Sequence, residues 1–203
     1  MELTAMYESL WSLWVTLGLA LLYFMKQWLR PARATRLHDQ LRQDWLQAVS
    51  SQQGTEVLAV QTIRNSLMSC TMTATTATLG LMGGVTLLHS GWPEAVKAGH
   101  AEVLQWHTLA VLVLLGLAFI SAMLAARQWH HAGFVAGMPI DSPQRQQWLD
   151  VGQRCIRRAG HYYALSVRLL MWCVPVLLVG ILSWVGVLAA LGLLVVLTLG
   201  IDR

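Results

Sequence analysis

The sequence predicts an all-α membrane protein, a polytopic bundle of about five transmembrane helices with two cytoplasmic amphipathic helices. Three observations predict it. The first is a run from Leu10 to Met25 with no charge between Glu8 and Lys26, and runs of the same kind recur over 66–88, 106–126 and 162–201. A helix needs roughly 20 apolar residues to span about 30 Å of hydrocarbon. The second is composition: of 203 residues 56% are hydrophobic and 12% charged, where a soluble domain carries about a quarter charged. Mean hydropathy is +0.52. The third is an alternation of basic and near-neutral connections, which sets an orientation.

Residues 26–64 hold Lys26, Arg30, Arg33, Arg36, Arg42 and Arg64; residues 89–105 hold only Lys97, beside Glu94 and Glu102. Residues 127–161 are basic again, with Arg127, Arg145, Arg154, Arg157 and Arg158. Cytoplasmic loops carry the excess of Lys and Arg. The pattern predicts a bacterial inner-membrane protein with its N-terminus outside and its C-terminus in the cytoplasm. The pI near 9.3 is then topological, and no nucleic acid partner is expected.

The first span covers about 9–26. Glu2 and Glu8 precede it and the basic cluster follows it, the flanks of an uncleaved helix rather than of a signal peptide. Residues 34–50 come next as an amphipathic helix, with Leu37, Leu41, Trp45 and Val49 repeating at i+4. Such a helix lies at headgroup level or under the bundle, and its arginines would meet anionic lipid headgroups.

The second span, about 65–88, is rich in Ser, Thr and Gly. Thr76, Gly80 and Gly84 stack at i+4 as a small-xxx-small ridge, which lets a second backbone approach closely. These three are the predicted helix-packing residues. The third span covers about 106–127. A second amphipathic helix follows at 142–160, where Ser142 can cap, Pro143 suits the first helical position, and Trp148, Val151 and Cys155 form a stripe. The last forty residues are too long for one crossing. Pro175 bends them, and Gly180, Ser183 and Gly186 offer a turn, which yields spans at about 161–181 and 185–201. One transmembrane domain over 1–203 results, with four spans and a long kinked last helix as the alternative.

Several segments resemble a known family. Arg42-x-x-Trp45 and the run from Val60 to Met68 (VQTIRNSLM), which leads into an Ala/Thr-rich span, are similar to the DUF599 family of membrane proteins. Arg127 to Phe134 (RQWHHAGF) resembles that family's Arg-x-Tyr-Asn-His-x-x-Phe segment. Arg158 to Tyr163 (RAGHYY), followed by Trp172 and Pro175, resembles its Arg-x-Tyr-Tyr and Trp-x-x-x-Pro segments. The chain departs at Trp129-His130, where the family pattern has Tyr-Asn, and after Pro175, where it has Gly-Pro. The resemblance implies the topology and adds no chemistry.

Candidate chemistry is sparse. No nucleophile elbow, Walker A loop, HExxH or dinucleotide fingerprint occurs, so the chain is read as a non-enzyme with no expected cofactor. The seven histidines include no i, i+4 pair of the kind that builds a helical metal site. Cys70, Cys155 and Cys173 form no CxxC and read as small core residues. Arg168 lies about two turns into the fourth span, where a charge faces the interior, pairs or snorkels. No acidic residue falls in any span, which argues against carboxylate-based ion coupling. Arg64, Asn65, His131 and Tyr162 lie near predicted cytoplasmic helix ends, so the bundle would bring them to one depth; with Arg168 they form the expected polar cluster. The functional expectation is an interaction, accessory or assembly subunit or a self-associating scaffold, as a homo-oligomer or within a larger membrane complex. A channel or facilitator for a small solute or ion is the alternative, and a haem- or metal-binding redox protein the third.

Overall fold

A computed structural model describes residues 2–30, 32–90 and 101–201. The helices are α1 (Glu2–Leu29), α2 (Arg33–Ser51), α3 (Glu56–Ser90), α4 (Ala101–Ala136), α5 (Pro143–Ile181) and α6 (Ser183–Val195), and α6 runs into a π-helical turn, Val196–Ile201. No strand occurs among the described residues. Tyr7–Leu29, Leu104–Ala136, Pro143–Ile181 and Ser183–Gly200 are long and apolar enough to cross a membrane. The chain is a membrane-protein helix bundle.

α3, the expected second span, has 35 residues and ample length for a bilayer. Its Ser, Thr and Gly content keeps it out of the strongly apolar set. The amphipathic α2 matches the expected 34–50 closely. The second amphipathic segment and the fourth span, expected as separate helices, form one helix of 39 residues. Nothing breaks the segment at the expected junction near 160, and Pro175 lies inside the helix without ending it. The 161–201 region does divide in two, at Leu182, which is extended with φ −142° and ψ 100°.

The contacts group the chain into two compact units. Unit 1 comprises Met1–Ala34, Ala77–Leu117 and Arg168–Arg203, and unit 2 comprises Thr35–Thr76 and Ala118–Val167. In unit 1, α1 packs along α6. Leu13, Thr16, Ala20 and Tyr23 are buried on α1, a 3–4 spacing that places them on one helical face. Tyr23 meets the fully buried Trp172 with ring centroids 6.2 Å apart. The turn into α6 is very tight: a Cβ on Gly186 would stand 2.3 Å from Val179 N and 2.6 Å from its Cα. Only a residue without a side chain fits this backbone-on-backbone approach.

Unit 2 has its own core of small residues and aromatics. Ala59, Ile63 and Cys70 of α3 meet Ala125, Ala126, Trp129, Ala132 and Ala136 of α4, with Leu46 and Val49 of α2 and Ile156 and Ala159 of α5. Its two connections are built by short polar residues. Gly54 has φ +85°, the left-handed conformation that closes helices at least cost in glycine. Thr55 Oγ1 donates to Val49 O at 2.7 Å and Gln52 O at 2.6 Å, which satisfies carbonyls that the end of α2 leaves open. At the start of α5, the Arg145 N–H donates to Ser142 Oγ at 3.3 Å, with Pro143 at the first helical position. The N-cap geometry is the one the sequence suggests.

Candidate functional site

The residues expected to be functional are scattered by helical phase. On α3 the buried line runs through Ala59, Ile63, Cys70, Ala74 and Ala77. Arg64 and Asn65 follow Ile63 by about 100° and 200° of rotation, so both are exposed. On α4 the inward residues are Trp129 and Ala132, and His131 between them is exposed. Tyr162 is half-buried against the core of unit 2. Arg168 is partly buried and belongs to unit 1. Among the described residues no hydrogen bond or ion pair joins Arg64, Asn65, His131 and Tyr162. Shared depth does not bring these four together, because depth fixes height along a helix and not the direction a side chain takes.

The packing ridge divides in the same way. In unit 1, a Cβ on Gly80 would lie 3.0 Å from a Leu115 methyl, and one on Gly84 would lie 2.7 Å from a Leu112 methyl. Both glycines therefore hold α4 side chains close. Thr76 stands on the exposed flank of the Ala74–Ala77 line, and its hydroxyl donates to Met72 O at 3.0 Å. The histidine readings have a partial outcome. His100, Glu94 and Lys97 lie outside the described residues, as does the end of the chain at Asp202 and Arg203. His107 is buried in unit 1 beside Gly180. Among the described residues no group of three or more His, Cys, Asp or Glu could hold a metal ion.

Two features of unit 2 went unseen in the sequence. The first is Arg145, which is 1% exposed. Its guanidinium donates to Ala136 O at 3.1 Å and to Met138 O, at the end of α4. It also donates to Val49 O at 3.4 Å and Ser50 Oγ at 3.1 Å, at the end of α2. One cation thus closes the C-termini of two helices, where a positive charge is favoured by the helix dipole. The sequence offered one sign of this: Arg145 stands in the first turn of α5, at the positive end of its own helix, where a cation gains nothing locally.

The second is a cleft of about 520 Å³ walled by α2, α3, α4 and α5. Arg42 is the one charged side chain on its wall among the described residues. Asp39 fixes it: Oδ1 accepts from Arg42 Nη2 at 2.6 Å, and Oδ2 lies 3.1 Å from His161 Nε2. Gly160 gives it room, since a Cβ there would lie 2.5 Å from Arg42 Cζ. Trp45, Trp129 and Tyr163 supply aromatic walls, and Thr62, Ser66 and Ser69 bring three hydroxyls from consecutive turns of α3. Each hydroxyl donates to a carbonyl one turn back, Thr62 to Leu58 O at 2.9 Å, Ser66 to Thr62 O at 3.2 Å and Ser69 to Asn65 O at 3.2 Å. Their oxygens are therefore left as acceptors. The arrangement is amphipathic: cationic donors, oxygen acceptors and flat apolar faces around one volume.

Four helices of this length and apolarity define a polytopic α-helical membrane protein. The chain belongs to the DUF599 family, described as a protein of unknown function, whose model matches residues 9–202. No curated protein and no solved structure matches the chain.

Proposed function

We propose that this protein is an interaction subunit of the bacterial inner membrane, self-associating or accessory to a larger complex, with α3 as its contact helix. The observation that carries the reading is what α3 leaves uncovered. Met68, Met72, Leu79, Met82 and Val85 are exposed, and so are Thr71, Thr75, Thr76, Gly83 and Thr86. Lipid tails gain little over another helix at such a surface, whereas small residues let a second helix approach closely. Methionines adapt to an irregular partner. A solute path would need the hydroxyls turned inward. They are exposed, and Thr71, Thr75, Thr76 and Thr86 each donate to a carbonyl of their own helix at 2.8–3.0 Å.

Gly83 supplies the test, because nothing lies within 4 Å of a Cβ built there. Gly83→Leu should preserve the melting temperature and abolish association, read as native mass in detergent and as cross-linking in bilayers. A wild-type protein that is monomeric in both, with no stoichiometric partner from its own membrane, would overturn the proposal.

A further inference from the structure

We infer that the unit 2 cleft is a binding site for an anionic phospholipid with a hydroxylated headgroup, of the phosphatidylglycerol type. The reading is independent of the contact proposed for α3. The charge on the cleft wall is a guanidinium already held in place, with Asp39 binding it at Nη2 and Gly160 leaving room for it. Asp39 itself does not line the cleft. Arginine carries five N–H donors in a planar fork, so a phosphate can meet donors that the single Asp39 bond leaves over. A preplaced guanidinium loses less freedom on binding than a mobile one.

The α3 residues of the cleft select the rest of the headgroup. The oxygens of Thr62, Ser66 and Ser69 have committed their protons to the backbone. They can accept from glycerol hydroxyls, whereas a choline has no O–H or N–H to give them. Trp45, Trp129 and Tyr163 provide the amphipathic rings typical of the membrane interface. Leu37 and Leu41, 52% and 65% exposed on α2 beside Arg42, place that helix where acyl chains begin. A volume of about 520 Å³ accommodates a headgroup and the first part of its chains, with the remainder running out along α2.

Native mass spectrometry of the detergent-purified full chain tests this with phosphatidylglycerol and phosphatidylcholine added in turn, and a melting curve accompanies each variant. The wild type should retain one phosphatidylglycerol and melt higher with it, and should not retain phosphatidylcholine. Arg42→Gln should weaken the apparent affinity about tenfold or more, the scale of one charge-assisted hydrogen bond. Ser66→Trp fills the cleft while leaving Arg42 in place and should abolish retention, whereas Gln146→Trp, exposed on α5 and outside the cleft, should not. If Arg42→Gln fails to fold, Ser66→Trp decides alone. Equal retention of the two lipids overturns the inference, as does phosphatidylglycerol bound undiminished by a folded Ser66→Trp. Inorganic phosphate alone raising the melting temperature as far as the lipid would show a small-anion site, and would also overturn it.

Discussion

Arg145 occupies the first turn of α5, yet its side chain serves the ends of α2 and α4. Removing it takes the guanidinium donor from Ala136 O and Met138 O at the end of α4, while Val49 O keeps its bond from Thr55 Oγ1, and a buried acceptor stripped of a charged partner is costly. Arg145→Met should lower stability by about 2–4 kcal/mol, measured as denaturant or thermal unfolding in detergent. Arg145→Lys should recover little of it, because one ammonium cannot reach acceptors spread over two helix ends as a planar fork does. A near-normal melting temperature in the methionine variant would show that water or another donor replaces the guanidinium. Gly160 is a different kind of residue. Gly160→Ala meets only the guanidinium end of Arg42, so that end should be displaced from Asp39 at a modest cost to stability.

The helical elements depend on a few close approaches. At the α5–α6 turn, a Gly186 side chain would strike a Val179 methyl and also the Val179 backbone at N and Cα. Gly186→Ala must therefore open the turn, and overpacking of this kind costs about 1–3 kcal/mol or more. The expected result is a marked loss of folded yield and melting temperature. On α3 the glycines form a contrast. Gly80→Leu drives into the Leu115 side chain and should destabilise the fold, while Gly83→Leu enters open space and should not. Equal melting temperatures for the two variants would mean that the α3–α4 contact in unit 1 carries no weight.

For the whole molecule, the basic connections argue that the C-terminal end returns to the side that holds α2. A cytoplasmic-only reporter fused after Arg203 should be active, and an extracytoplasmic reporter at the same point should be silent. The opposite pattern would mean an even number of crossings, with α3 not spanning. The same count can be checked by placing the reporter within 137–142, the connection between α4 and α5, which the orientation also puts in the cytoplasm.

Much of this architecture was legible in the chain itself. Long uncharged runs, the charge alternation and the Ser142-Pro143 start of α5 are local features, and hydrophobic thickness, the charge bias of loops and capping act on local sequence. Those forces determined the class of protein, the elements and their approximate ends. The merging of 142–160 with the next span was not legible, since an amphipathic stripe and an apolar run are each helical and nothing between them breaks the helix. Nor was the fate of Arg64, Asn65 and His131, which share a depth with the core yet face away from it. The cleft around Arg42 and the clamp made by Arg145 join residues as far apart in sequence as Val49 and Arg145. Only the tertiary structure decided these, because the azimuth of each helix is set by which small residues its neighbours can pack against, and no single segment carries that information.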